Sequence, residues 1–280
     1  MDETLAMLTT FLAFAITSAS ITTAPITYVN HEVGIDVRVG NAGTLHLLLD
    51  TGATLSITPD AAKRTGLSVS FPPGYSAYGS DGKPVPVGVA QISELDVGSI
   101  ALHDQRAIVG NAPQGFDGAI GYPLFAAYRS LIDVRAKTLT LRPFDATPLA
   151  SPTFPFTFVL GHLPAIHGTI GGVPASLGID TGFGAAVTLN GTFAGAHGLL
   201  AIDAPPVPGF RDRGGALELV TIGPKTLTLD TLSLTPTTYV QVGSGFSGDS
   251  DGTIGMGLLE AFRIELDYAA HTIALHAYEG

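Results

Sequence analysis

Two aspartates stand where a carboxylate is costly unless it is used. Asp50 closes the run Leu47-Leu48-Leu49, and Asp180 closes Leu177-Gly178-Ile179. Each opens a short motif, Asp50-Thr51-Gly52-Ala53 and Asp180-Thr181-Gly182-Phe183. An apolar run bounded by Gly and small polar residues reads as a buried strand. A charge at the tip of such a strand must be paired, hydrogen-bonded or put to work. The copies lie 130 positions apart in a chain of 280 residues, which suggests one site made by two similar halves. Two carboxylates held close cannot both ionise cheaply, so they share one proton. The ionised member can take a proton from water while the protonated member donates to a carbonyl oxygen. Such a pair needs no cofactor and no metal.

The elements that must hold these residues are mostly strands. The chain is 45% hydrophobic and 13% charged, with 35 Gly and 19 Pro, which favours short strands and many turns around a substantial core. Ile35-Asp36-Val37-Arg38-Val39 alternates with period two, turns at Gly40-Asn41, and leads into the strand that ends at Asp50. Thr58-Pro59-Asp60 starts a helix of about two turns over Pro59–Thr65, stopped by Gly66. Tyr75 to Ile92 reads as a hairpin turning at Gly79-Ser80-Asp81-Gly82, and a further strand pair spans Leu95 to Val109.

The plan then repeats. Ile166 to Gly171 matches Ile35 to Gly40, and Thr188 is matched to Thr58. At an offset of 134, Asp117-Gly118-Ala119-Ile120-Gly121 pairs with Asp251-Gly252-Thr253-Ile254-Gly255. Arg129, Asp133 and Leu141 likewise recur as Arg263, Asp267 and Leu275. The expected organisation is a lobe over 26–146, a Pro-rich linker over 147–155 and a second lobe over 156–280.

These paired motifs resemble the aspartic peptidase clan, which includes pepsins and retropepsins. The resemblance implies an all-β, two-lobed acid-protease fold with pseudo-twofold symmetry and short helices. It implies that Asp50 and Asp180 are the catalytic pair of an endopeptidase, cleaving polypeptides laid between the lobes. Thr51 and Thr181 would bond across to the opposite loop, Gly52 and Gly182 would offer N–H groups to the carboxylates, and Gly121 and Gly255 would mark a strand threaded behind each loop. Pepsins carry Ser or Thr after Asp-Thr-Gly; Ala53 is the retropepsin choice, and Phe183 is neither. Ala53 and Phe183 are therefore candidates for the substrate contact, together with Tyr78 and Gly79 on a covering flap. Phe210 to Gly215 is the candidate tip of a second flap. The alternative reading is a non-catalytic peptide-binding pseudoprotease that has lost turnover through Phe183.

A net charge of −11 argues against nucleic acid as a partner. The absence of cysteine excludes thiolate chemistry and disulfides. Residues 5–19 are apolar, with Thr17-Ser18-Ala19 or Thr22-Thr23-Ala24 as cleavage sequences, though Asp2 and Glu3 stand where a basic segment is usual. Residues 1–25 are thus expected to be a signal peptide or an N-terminal anchor, and the location periplasmic or secreted. A monomer is expected, since one chain supplies both aspartates. Gly243-Ser244-Gly245-Phe246-Ser247-Gly248 has the spacing of a dinucleotide fingerprint but is followed by Asp249-Ser250-Asp251, not by a helical pattern. His162 and His167 are expected to be solvated or core residues, without metal-ligand spacing.

Overall fold

A computed structural model of the chain describes residues 21–78, 84–148, 152–200, 206–207, 211–212, 215–216, 218–242 and 250–279. The apolar N-terminal run, Gly79, Phe210 and the 243–248 glycine motif lie outside the described residues.

Lobe one contains β1 (Thr22–Val29), β2 (Glu32–Val39), β3 (Gly43–Leu49), β4 (Leu55–Ile57), α1 (Pro59–Arg64), β5 (Val69–Ser70), β6 (Ser76–Tyr78), β7 (Pro84–Pro86), β8 (Gly88–Val97), β9 (Ile100–Val109), β10 (Gly118–Ile120), α2 (Tyr122–Phe125), β11 (Arg129–Asp133) and β12 (Thr138–Arg142). Lobe two follows with β13 (Thr153–Val159), β14 (Leu163–Ile170), β15 (Val173–Asp180), β16 (Val187–Asn190), α3 (Gly191–Ala196), β17 (Pro206–Val207), β18 (Arg211–Asp212), β19 (Gly215–Ala216), β20 (Leu219–Pro224), β21 (Leu227–Leu229), β22 (Leu232–Leu234), β23 (Thr237–Gln241), β24 (Gly252–Gly255), α4 (Met256–Leu259), β25 (Phe262–Asp267) and β26 (Thr272–Ala277).

The lobes share an antiparallel sheet in the order β1-β12-β11-β25-β26-β13. Its centre is the β11–β25 pair, with Leu131 opposite Glu265 and the equivalent pairs Ser130–Leu266 and Ile132–Ile264 on either side. The 134-residue offset maps Leu131 onto Glu265, so the approximate twofold axis passes through this pair. Ile132, Ile264 and Leu266 carry the sheet's inner face into the main core. Arg129 and Asp267 join the lobes beside them: Arg129 Nε donates to Asp267 Oδ2 at 2.8 Å, and both residues are 6% exposed. The same guanidinium donates to the carbonyls of Phe144, at 2.9 Å, and Ala146, fixing the start of the linker.

Both lobe boundaries shift because these strands are shared. β1 begins at Thr22, where Thr22–Pro25 pair with β12, and β13 begins at Thr153, where Thr153–Pro155 pair with β26. A boundary read at Ile26 or Phe156 marks where each strand bends into its own lobe, pairing next with β2 or β14.

Within the lobes, α1 forms as the residues dictate: Thr58 accepts from the Ala61 N–H at 3.1 Å, Pro59 occupies the first turn, and Ala61 and Ala62 face the core. The β6–β7 hairpin pairs Ser76 with Pro86 and Tyr78 with Pro84. It ends at Val87, however, because β8 begins at Gly88 and forms a long hairpin with β9, turning at Gly98-Ser99. The stretch read as ending at Ile92 therefore divides between two hairpins. In lobe two, β18 and β19 pair Arg211 with Ala216 and Asp212 with Gly215, a short hairpin at the place read as the second flap.

A candidate dyad at the lobe junction

Each aspartate is carried by the end of a strand buried on both faces. Leu47 and Leu49 fill the main core, while Leu48 packs on the other face with Ala53, Ala119 and Phe116. Leu177 and Ile179 repeat the inward pattern in lobe two. Behind each strand runs a second one: β10 lies parallel to β3 and antiparallel to β4, and β24 lies parallel to β15 and antiparallel to β16. The loop bearing each aspartate thus bridges two strands held apart by a third.

That third strand is braced by the repeated Asp-Gly sequence. Asp117 Oδ2 accepts from the His46 N–H at 3.0 Å, and Asp251 Oδ2 accepts from the Ser176 N–H at 2.8 Å. At its far end a Cβ on Gly121 would lie 1.9 Å from the Asp50 carbonyl oxygen, and one on Gly255 2.3 Å from that of Phe183. Only glycine permits this approach of backbone to backbone. The threading expected of Gly121 and Gly255 is present in both lobes.

The threonines interlock the two loops. Thr51 Oγ1 donates to the Ile179 carbonyl at 2.6 Å and accepts from the Thr181 N–H at 3.0 Å. Reciprocally, Thr181 Oγ1 donates to the Leu49 carbonyl at 2.8 Å and accepts from the Thr51 N–H at 3.1 Å. Both threonines are fully buried. Each hydroxyl bonds the residue just before the opposite aspartate, so neither loop can shift without the other.

This interlock brings Asp50 and Asp180 together. The Gly52 N–H donates to Asp50 Oδ1 at 2.8 Å, and the Gly182 N–H donates to Asp180 Oδ1 at 2.9 Å. A Cβ on Gly52 would stand 3.0 Å from Asp180 Oδ2 and 3.1 Å from Asp50 Oδ1, so one point touches both carboxylates. An aromatic cluster is formed by Tyr122, Phe125, Phe156, Phe158 and Tyr268. Burial first, then the negative charge of Asp50 and more weakly that of Asp180, pushes the Tyr268 phenol far above its ordinary range.

The loops differ after their third residue. Gly121 donates to the Thr54 carbonyl and Gly255 to that of Ala186, whereas Tyr122 and Met256 donate to the carbonyls of Ala53 and Phe183. Ala53 thus corresponds to Phe183 and Thr54 to Ala186, with Gly184-Ala185 as extra residues in lobe two. This insertion corrects the sequence register. Thr188 corresponds to Ser56, and the residue equivalent to Thr58 is Asn190, whose Oδ1 caps α3 by accepting from the Phe193 N–H at 2.7 Å. Ala53 is buried against Leu48 and does not line the opening, while Phe183 is only half-buried. Tyr78 lies in β6 next to the hairpin tip.

His162 is half-buried, partly solvated and outside the core, and it makes an interlobe contact that its sequence reading did not include. It reaches from the β13–β14 turn to the opposite lobe, where Nε2 lies 2.9 Å from the Gly52 carbonyl oxygen. No motif marks it; only the lobe packing does. His167 is exposed, as expected.

Residues 35–124 match the family model described as aspartyl protease. Among solved structures, the aspartic proteinase from Irpex lacteus superposes with a TM-score of 0.59 at 14% identity, covering 93% of this chain and 98% of that one. Over residues 35–124 the chain is similar to the aspartyl protease family, and across its length it shares the fold of an aspartic proteinase. No curated protein matches the sequence. The family match ends at Leu124 and so includes Asp50 but not Asp180. For the second half of the chain the resemblance rests on the fold and on the interlocked loops. Together these similarities support a peptidase of the aspartic type in general terms.

Proposed function

We propose that the chain is an aspartic endopeptidase in which water held between Asp50 and Asp180 attacks a peptide carbonyl. The observation that carries this reading is the reciprocal threonine interlock, which holds two carboxylates from different lobes at one point. One carboxylate takes a proton from the water as its oxygen bonds to the carbonyl carbon. The other, protonated, gives its proton to the carbonyl oxygen, leaving a neutral gem-diol. The first carboxylic acid then returns its proton to the amide nitrogen while the second, now ionised, takes a proton from a diol hydroxyl. The C–N bond breaks, an amine and a carboxylic acid leave, and the pair again holds one proton. The roles belong to the pair jointly, because strongly coupled acids titrate as a unit. Only the singly protonated pair works, so the profile is bell-shaped against pH, with activity on the acidic side.

An extended polypeptide would lie between the lobes and bond in strand fashion to the β6–β7 hairpin that carries Tyr78 and leads to Gly79. One chain supplies both aspartates, so the reading needs no second copy. Export is part of the proposal: Thr22-Thr23-Ala24 are already paired in β1, so cleavage after Ala19 is the choice that leaves the shared sheet whole.

The test is cleavage of unfolded casein at weakly acidic pH, with and without a statine-type peptide. Wild type should cleave and be inhibited, while Asp50→Asn and Asp180→Asn should each be inactive with unchanged circular dichroism. Binding of the statine-type peptide without turnover would instead favour the non-catalytic peptide-binding reading, with Phe183 and the Gly184-Ala185 insertion as the departures responsible. Near-native turnover in Asp180→Asn would rule out the shared dyad.

A further inference from the structure

The first hairpin turn of each lobe crosses to the other lobe and presents a histidine there. In lobe one the β1–β2 turn carries His31, whose Nδ1 lies 2.8 Å from Glu260 Oε2 just after α4. Tyr28 donates to the same carboxylate oxygen. A Cβ on Gly184 would stand 3.5 Å from the His31 Cβ, so this turn also abuts the inserted part of the lobe-two loop. In lobe two the β13–β14 turn carries His162, which meets the lobe-one loop at Gly52. The clasps occupy equivalent places but differ in chemistry: among the described residues His31 bonds a carboxylate, and His162 bonds backbone carbonyls.

We propose that His162 is a positioning residue for Asp50 and that it acts as the doubly protonated imidazolium. Its Nε2 lies 2.9 Å from the Gly52 carbonyl oxygen and its Nδ1 2.8 Å from the Leu160 carbonyl oxygen. A carbonyl oxygen only accepts hydrogen bonds, so each contact requires an N–H on the ring. Neutral imidazole has one N–H and one lone pair, and would turn that lone pair on one of the two carbonyls. The cation satisfies both. Gly52 is meanwhile engaged on its other side, where its N–H donates to Asp50 Oδ1 at 2.8 Å. The residue that orients Asp50 is therefore held at both ends. Without a side chain it relies on these two backbone anchors.

The acidic groups on the elements that meet at this contact are Asp50, on the loop His162 binds, and Asp180, whose Oδ2 lies 3.0 Å from the position of a Gly52 Cβ. His31, Glu260 and Tyr28 belong to the opposite clasp. Loss of the second proton from His162 leaves one donor for two acceptors. The Leu160 contact closes a local turn, while the Gly52 contact spans the lobes, so the interlobe bond is the one whose loss loosens the dyad. Activity should then fall with rising pH through two causes, titration of the carboxylate pair and release of Gly52.

The inference rests on the endopeptidase reading for its kinetic consequence but not for the protonation state. Protein labelled with 15N-histidine, recorded by NMR across about pH 4 to 8 and assigned by comparison with His162→Leu, should show both His162 nitrogens bearing protected protons at the acidic end. One should be lost as pH rises. On casein, His162→Leu should lower kcat on the order of tenfold with little change in KM. His162→Gln, which offers a neutral N–H to Gly52, should recover most of that loss and flatten the alkaline limb. A single ring N–H throughout the range overturns the proposal. So does a His162→Leu or His162→Gln enzyme that keeps the wild-type kcat and pH profile while only its Tm falls. If wild type cleaves nothing, the endopeptidase reading fails on its own, and the NMR result still decides the state of His162.

Discussion

A methyl group added to Gly182 would stand 2.4 Å from Asp50 Cγ and 2.7 Å from both of its carboxylate oxygens. Gly182→Ala must therefore displace the carboxylate or the loop. A misplacement of that size in a reacting group costs about a hundredfold in rate, so the variant should lose at least roughly that in kcat/KM on casein while retaining most of its resistance to urea. A fully active Gly182→Ala enzyme would mean that the loop relaxes freely. Phe183 presents the opposite case. Its backbone is committed, donating to the Asp180 carbonyl and accepting from Met256, but its ring is half-buried beside the dyad. Phe183→Ala keeps both backbone bonds. It should change which side chains are accepted next to the cleaved bond, at a stability cost below the about 3–5 kcal/mol of a fully buried Phe. Peptide-library cleavage and urea denaturation give the two readouts; a large loss of stability with unaltered preference would place the ring in the core.

Among the elements, the threaded strands β10 and β24 set the shape of both loops. Gly121→Ala would drive a methyl group to 1.9 Å from a backbone carbonyl, a contact no rotamer can relieve. Overpacking of this kind costs about 1–3 kcal/mol, and because it acts on the loop's own backbone, activity should fall together with the urea midpoint. A Gly121→Ala protein of wild-type stability would show that the strand can withdraw from the loop. The β1–β2 hairpin carries a separate, pH-dependent burden. Burial raises the Glu32 carboxyl above its ordinary range, so folding disfavours its ionised form relative to the unfolded chain. Below the unfolded-state value both states are protonated and Glu32 has no effect; as pH rises through the folded-state value it becomes destabilising. Glu32→Gln should match wild type in Tm at about pH 3 and exceed it slightly at about pH 7. An equal offset at both values would assign the effect to packing.

The whole molecule is held by a sheet that belongs to neither lobe alone. Its buried Arg129–Asp267 pair joins β11 to β25, and Arg129 also fixes the linker carbonyls. Breaking one side of a buried ion pair strands the other charge, at about 3–5 kcal/mol. Arg129→Ala should show that loss in urea denaturation, and the double change Arg129→Met with Asp267→Leu should recover much of it, because an apolar pair leaves no orphaned charge. If the double variant were no more stable than the single one, the hydrogen bonds to Phe144 and Ala146 would be the larger contribution. Thermal unfolding of the wild type should be a single transition, since separating the lobes disrupts the threonine interlock and the central strand pair together.

The local pieces, whose signals are short-range, are legible in the residues alone. Asp50 and Asp180 are legible because an acid at the tip of an apolar strand is costly, and the capped α1 because Thr58 and Pro59 can do little else. Gly121 and Gly255 are legible because the motif recurs. Whatever depends on contacts between distant segments emerges only once the chain is folded. The repeat revealed Arg129 and Asp267 as recurring residues but not as partners, since Arg129 pairs with Asp267 of the other lobe and Asp133 instead caps its own turn at Arg135 and Ala136. Matching residue types aligned Thr188 with Thr58, and only the hydrogen-bond register exposed the two-residue insertion that makes Asn190 the true equivalent. β1 and β13 begin before their lobes do because half of each strand pairs in a sheet that exists only when both lobes are present. His162 carries no spacing signal at all. Its position against Gly52 follows from the crossing of two lobes, a relation that no window of sequence contains.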